Sequence, residues 1–457
     1  MDKYMRFRAA FPRVLLILGL AASLAAADDW PQFQGPTRTG SSIESGLARI
    51  WGDRGPKILW TIDVGAGFAG AAVRDGQVYV LDRIGERQDV LRCVDLATGR
   101  ELWTCAYDAP GILPYAGSRQ VATVDEKLVF AVGPFGHLNC FDRNTHKIVW
   151  SHHLVDDFKD PAIDDGQKPA TRADKLARAQ LPEWGMTQSP VLYNDVVIVG
   201  PQTQKVGLAA YAKSTGQLRW TSAYIGRNWY SHVSAYLTAL CGVEQVIMLA
   251  QPSDPEKSPA NAPPAIISST DPKTGRILWQ AQTPRPYKIP IPQPLRIADD
   301  RLLITGGYGV GCLIVKARKE GDNWSIDISG TNTIASHIQS PVLYNDHVYV
   351  QSHKEHGGAN IGLVCLDLNG QFCWQTGAKL QFDFGSFLLA DGLAFVMNGK
   401  NGELNLVDAD PRGFKLLAKA KVLDAEGGNV WAPMALSDGK LIIRDQHKMK
   451  CVEVRKP

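Results

Sequence analysis

A nine-residue phrase constrains this chain more than any other feature. Asp271-Pro-Lys-Thr-Gly-Arg-Ile-Leu-Trp279 has a near copy in Asp95-Leu-Ala-Thr-Gly-Arg-Glu-Leu-Trp103, and weaker copies end at Trp150 and Trp220. Each reads as a strand end, a tight Thr-Gly turn and a short strand closed by Trp. A phrase that recurs every few tens of residues means one supersecondary unit copied along the chain, with neighbouring copies burying each other's apolar faces.

A second signature runs in step with the first. Turn residues precede short apolar strands at Asp75-Gly76, Asp125-Glu126, Asn194-Asp195, Gly242, Asp299-Asp300, Asn345-Asp346, Asp391-Gly392 and Asp438-Gly439. These residue types tolerate positive φ and make hairpin turns, so the chain is predicted to hold eight units. Closing positions also number eight: Trp60, Trp103, Trp150, Trp220, Trp279, Trp324, Trp374 and the apolar Leu416-Leu417. Most successive Trp lie about 40–50 residues apart, the length of a four-stranded propeller blade.

The predicted fold class is therefore all-β: an eight-bladed β-propeller of four-stranded antiparallel blades over residues 57–457. The last unit ends without a closing strand, and a lone strand around Trp60 precedes the first unit. Pairing the two closes the ring and hides two sheet edges that would otherwise invite aggregation. A solenoid has no use for a strand missing at one end and spare at the other. Residues 28–56 form a Pro/Gly-rich extended segment, in which Trp30 and Phe33 are expected to dock on a surface rather than enter a strand. Two insertions interrupt the period. One covers 151–185 and carries a predicted helix over 173–181, rich in good helix formers; the other, 251–264, reads as a surface loop.

Residues 1–27 stand apart from the repeats. Arg6, Arg8 and Arg13 precede an apolar run from Val14 to Leu24, and Ala25-Ala26-Ala27 follows as a small-residue cleavage site. This is the pattern of a secretory signal peptide, too short for a membrane span. No Cys follows the apolar run to carry a lipid, so a soluble protein of the periplasm or cell envelope is expected. The full chain has a formal charge of +3. Cleavage after Ala27 removes four basic residues and one acidic one, leaving it close to neutral, without an electrostatic footprint for nucleic acid.

The eight Cys invite a disulfide framework in an exported chain. Position argues against it for five of them. Cys93, Cys140, Cys312, Cys365 and Cys451 share one slot of the repeat, filled elsewhere by Ala210, Ser269 and Leu406. A slot shared by such residues is a packing slot, and free Cys behaves there as a small buried hydrophobe. Cys105, Cys241 and Cys373 lie outside it, leaving one disulfide among them open.

The Asp-x-x-Thr-Gly-x-x-x-Trp phrase resembles the repeat of pyrroloquinoline-quinone (PQQ) dehydrogenase-like propellers, whose Trp packs each blade on its neighbour. The resemblance covers Trp30 to Pro457. Trp30-Pro-Gln-Phe-Gln-Gly-Pro36, Trp184-Gly-Met-Thr-Gln-Ser-Pro190 and Ser231-His-Val-Ser234 are similar to a large exported subset of PQQ-binding-like repeat proteins. BamB-type outer-membrane assembly proteins share the eight-blade plan. The quinone enzymes of the superfamily imply an adjacent Cys-Cys disulfide and a Ca²⁺ held beside a catalytic Asp. No two Cys are adjacent here, no segment matches the Ca²⁺ ligands, and there is no Cys-x-x-Cys-His for haem. No cofactor is therefore expected on the residues themselves, and PQQ with Ca²⁺ enters only through the resemblance.

Candidate site residues come from the segments leading into each innermost strand, which line the channel mouth of a propeller. They are Trp184, Gln188, Trp229, Tyr230, His232, His337, Gln339, Phe382, Phe384 and Trp431. Converging aromatics with a few His and Gln suit a small-molecule or peptide pocket; the same residues also suit a plug of the axis. His353 and His356 in a Gly-rich loop, and His152-His153, are weak metal patterns, and no metal site is expected. Two functions follow as expectations. The first is a non-catalytic, monomeric binding or assembly scaffold of the envelope, with a protein or small ligand at the propeller face. The alternative is a PQQ-dependent alcohol or sugar dehydrogenase with a diverged site.

Overall fold

The computed structural model describes residues 29–159, 181–182, 184–201, 203, 205–225, 232–251, 263–352 and 361–456. The leader expected over 1–27, all but the last residue of the helix expected over 173–181, and most of the loop expected over 251–264 fall outside these residues. So do Trp229, Tyr230, His353 and His356. The described strands form eight four-stranded antiparallel sheets arranged as an eight-bladed propeller. Blades 1 to 7 each use four consecutive strands. In blade 1 these are Ala72–Arg74, Gln77–Ile84, Gln88–Asp95 and Glu101–Asp108, from the channel outward. Blade 8 takes three strands from the carboxyl end and its outermost one, Ile58–Asp63, from the amino end. The ring is closed as the orphan strand around Trp60 requires.

The repeated phrase has a physical explanation in the contacts between blades. Its Asp caps the turn: Asp95 Oδ1 accepts the Ala97 and Thr98 amides and the Thr98 hydroxyl. Its Gly has positive φ, and at Gly99 an added Cβ would lie 2.6 Å from the indole of Trp60 on the preceding blade. A side chain there would meet both a left-handed backbone penalty and a filled space. Gly216 sits under Trp150 and Gly275 under Trp220 in the same way. The indole N–H then donates to the neighbouring turn, Trp60 to Leu96 O at 2.9 Å, Trp150 to Lys213 O at 2.8 Å and Trp374 to Asp410 O at 2.8 Å. Where His146 replaces the Gly, it stacks on Trp103 with centroids 5.0 Å apart.

Two closing positions differ from the sequence reading. The anchoring indoles pair with the shared packing slot, as Cys93 with Trp103 and Ser269 with Trp279. In blade 5 the partner of Cys312 is Asn332, while Trp324 lies opposite Lys319 near the far end of a ten-residue strand. Asn332 Nδ2 donates to Gly370 O, taking over the inter-blade bond of the missing indole. Trp324 packs instead against Trp279 of the preceding blade, centroids 6.5 Å apart. In blade 7 the slot residue Leu406 faces Ala418, and a bulge shifts Leu416 onto Val407.

The cysteines are all free. The five slot thiols are buried, and burial pushes Cys93, Cys312, Cys365 and Cys451 up to about 12. Cys105, Cys241 and Cys373 belong to blades 1, 4 and 6, so the disulfide left open among them is not formed.

The amino-terminal segment does more than dock on an outer surface. Trp30 exchanges backbone hydrogen bonds with Val73, Val124 donates to Pro31 O, and Arg38 donates to Leu192 O. Further on, Leu389 donates to Gly40 O and Ser42 to Leu389 O. All four partners lie on innermost strands, of blades 1, 2, 3 and 7. The segment therefore crosses the axis and covers one end of the channel. It then runs out to the carboxyl terminus, where Ala48 donates to Val454 O and Lys456 to Gly46 O.

Truncation separates the two Trp classes. Trp279→Ala empties a buried site and is expected to lower unfolding free energy by about 3–5 kcal/mol. Half-buried Trp324→Ala should cost less than about 2 kcal/mol. Urea denaturation of the two variants checks the order. Deleting residues 58–63 should expose the edge of blade 8 and drive aggregation; a soluble monomer on gel filtration would refute the shared blade.

Candidate functional site

The open end of the channel holds a cavity of about 310 Å³. Its wall is built by register. The residue four places before each innermost strand supplies Phe68, Arg119, Thr187, His232, Ile291, Ile338 and Trp431 in seven of the eight blades. In blade 7 that position is Asp383, and Phe384 beside it lines the wall. Phe33 of the crossing segment contributes from the closed side. The cavity thus lies between the plug and the starts of the inner strands.

Buried polar bonds hold these lead-in segments in place. Ser189 Oγ accepts the Val121 amide and Ser234 Oγ accepts the Ser189 amide, each 3.0 Å, linking blades 2, 3 and 4. Gln339 Nε2 donates to Phe384 O at 2.8 Å and Trp431 O at 3.1 Å, linking blades 6, 7 and 8. A buried backbone carbonyl needs a partner, and here the Gln side chain supplies it.

The predicted residues separate into groups. Trp184, His232, His337, Gln339, Phe384 and Trp431 come together on the wall. Gln188 does not line the cavity, and Phe382 is buried in the core between blades 6 and 7. His152 and His153 are used locally: His152 bonds Asp157 and Gly216 O, both at 2.7 Å, and His153 caps the single helical turn Leu154–Asp157. Phe33, Phe68, Tyr115, Arg119, Thr187 and Tyr308 also line the cavity, and the sequence reading passed over them as site residues. Counting four places back from each predicted inner strand would have found three of them: Phe68, Arg119 and Thr187.

The wall is aromatic with few polar groups. Phe68 stacks on Trp431 at 5.3 Å, and Phe384 meets Trp431 edge-on at 5.5 Å. His337 lies between Tyr308 and Phe384, and Trp184 tilts over His232 at 5.4 Å. His232 is buried; desolvation, then the Arg119 charge, push it down to about 3, so its imidazole is neutral at physiological pH. Burial, helped by Arg83, likewise lowers Arg119 to about 9. Among the described residues the wall includes no Asp or Glu.

A quinone with its Ca²⁺ does not fit this donor set. Ca²⁺ takes six to eight oxygen ligands, carboxylates prominent among them. The described wall offers hydroxyls, one amide and imidazoles. Among the described residues, no cluster of three or more His, Cys, Asp or Glu is placed to hold a metal.

A family model described as outer membrane protein assembly factor BamB matches residues 86–376. No curated protein sequence matches the chain. Several solved structures are similar in fold. Quinohemoprotein alcohol dehydrogenase from Comamonas testosteroni has 15% identity and a TM-score of 0.65, over 94% of this chain and 81% of that one. BamB from Moraxella catarrhalis has 14% identity and a TM-score of 0.55, over 87% and 97%. The computationally designed Ika8 protein has 10% identity and a TM-score of 0.55, over 88% and 100%. At these identities the likeness is one of architecture. A dehydrogenase, BamB and a designed chain share it, so activity has to be argued from the site.

The neutral His232 makes a pH prediction. Its folded pKa lies below the unfolded value of about 6.5, so the unfolded chain takes up a proton that the folded chain refuses. Stability is therefore lost as pH falls from about 6.5 toward 3. His232→Gln removes that contribution, and its unfolding free energy should decline less over this window than the wild type's. Urea denaturation at a series of pH values measures the difference.

Proposed function

The chain belongs to the propeller family described as outer membrane protein assembly factor BamB, and from this we propose that it is an exported, non-catalytic binding scaffold of the cell envelope. One observation carries the reading. The described residues on which all eight blades converge bring together aromatic rings, two imidazoles and one arginine, with no carboxylate among them. Such a wall can grip a ligand or a projecting side chain. Its described residues offer no carboxylate to serve a quinone centre as base or Ca²⁺ ligand.

The leader over 1–27 supports export. Among the described residues no helix is long and apolar enough to cross a membrane. A propeller sealed at one end by its own amino-terminal segment presents a single open mouth. Tyr115, 43% exposed, stands at its rim. We place the partner there, as an envelope protein or a small ligand bound by a monomer.

A quinone-dependent dehydrogenase is the competing reading, favoured by the aromatic wall and opposed by the donor set. Immobilised mature protein should retain a specific partner from envelope extracts, and Tyr115→Ala or Trp431→Ala should weaken that retention. Adding PQQ and Ca²⁺ should give no dye-linked alcohol oxidation. Quinone-dependent turnover, or retention of no partner at all, would overturn the scaffold reading.

A further inference from the structure

The charge inside the cavity is unbalanced. Arg119 lines the wall beside the Phe68 ring, its guanidinium carbon 5.9 Å from the centroid. Its hydrogen bonds go to the Tyr115 and Gly117 carbonyls, and it makes no ion pair. The charge that acts on it is Arg83, of the same sign. Backbone carbonyls orient the guanidinium without neutralising it, and a partly desolvated cation without a counter-charge is costly.

His232 adds a second polar group. The Thr187 hydroxyl lies 2.8 Å from Nδ1 and 3.4 Å from the His232 carbonyl oxygen, so Nδ1 is engaged. The other ring nitrogen, Nε2, is left for a second partner. That Nε2 is buried and has no partner in the structure. Buried polar atoms are mostly paired, and an orphan on a cavity wall is open to a polar group of a ligand.

We propose that the cavity binds a flat organic anion, an aryl carboxylate of one or two rings. Arg119 would take the carboxylate beside His232, with the ring among Phe68, Trp431 and Trp184. The proposal rests on the cavity being the binding site. Aromatic walls also hold cations, but Arg119 repels one. The volume, about 310 Å³, is twice the ~150 Å³ cavity that holds benzene and is at the lower end of ligand pockets.

Isothermal titration with 1-naphthoate, 1-naphthalenemethanol and 1-naphthylmethylamine tests the charge preference on one ring system. Naphthoate should bind about 10- to 100-fold tighter than the alcohol, the amine more weakly still, because a hydrogen bond to a charged group discriminates by about that factor. Arg119→Gln should abolish the preference and leave alcohol binding unchanged. Arg119→Lys, which keeps charge but loses the planar fork, should be intermediate. If Arg119→Gln fails to fold, the three-ligand comparison on the wild type decides alone. Equal binding of all three, or no binding of any, overturns the anion proposal and leaves the scaffold reading to its own test. Naphthoate binding with no envelope partner retained would sink the scaffold and keep the anion site.

Discussion

The contact between an indole and the turn of the next blade is the interaction on which the structure depends. Each blade alone is a four-stranded sheet with an apolar face, and such a face must be covered. Trp60 over Gly99, Trp150 over Gly216 and Trp220 over Gly275 cover it, with turns shaped to receive the ring. The indole N–H reaches the turn carbonyl, so burial and hydrogen bonding fix one geometry. Asn332 preserves that bond in blade 5 without the indole. The bond is not universal, since Trp279 donates to Gln245 of its own blade and Trp103 stacks on His146, so covering the apolar face is what the copies share.

Closure follows from the same contact. Trp60 belongs to the first strand of the chain, yet it sits in blade 8 and donates to a turn of blade 1. The two ends of the polypeptide are thereby part of one sheet. The crossing segment extends the effect, since residues 46–48 bond residues 454 and 456. It also converts a through-channel into a one-ended cavity, with Phe33 as part of its floor.

That cavity holds a guanidinium with no ion pair. Elsewhere buried polar groups such as Arg83 and Asp89 pair at 2.6 Å. On the cavity wall, Arg119 has no counter-charge and His232 keeps an unpartnered nitrogen. The ion pair is closed to ligands, whereas the guanidinium on the wall is open to one.

The repeat made the architecture legible. Blade number, hairpin positions, the shared packing slot and the orphan strand at Trp60 are all periodic, and periodicity is a one-dimensional property. Trp324 was misplaced because a long hairpin in blade 5 carries it out of register, and spacing alone cannot tell an anchoring Trp from one beside it. The site was half legible. Trp184, His232, His337, Gln339, Phe384 and Trp431 stood out as aromatic or polar residues before inner strands. Arg119 and Phe68 share their register but looked like ordinary loop residues. The sequence by itself determined the ring and its closure, because each blade repeats the same local contacts. Only the tertiary structure decided that the amino-terminal segment crosses the axis and that Arg119 faces His232's pocket without a counter-charge. Those facts depend on eight separate segments meeting at one axis, and no local pattern encodes that meeting.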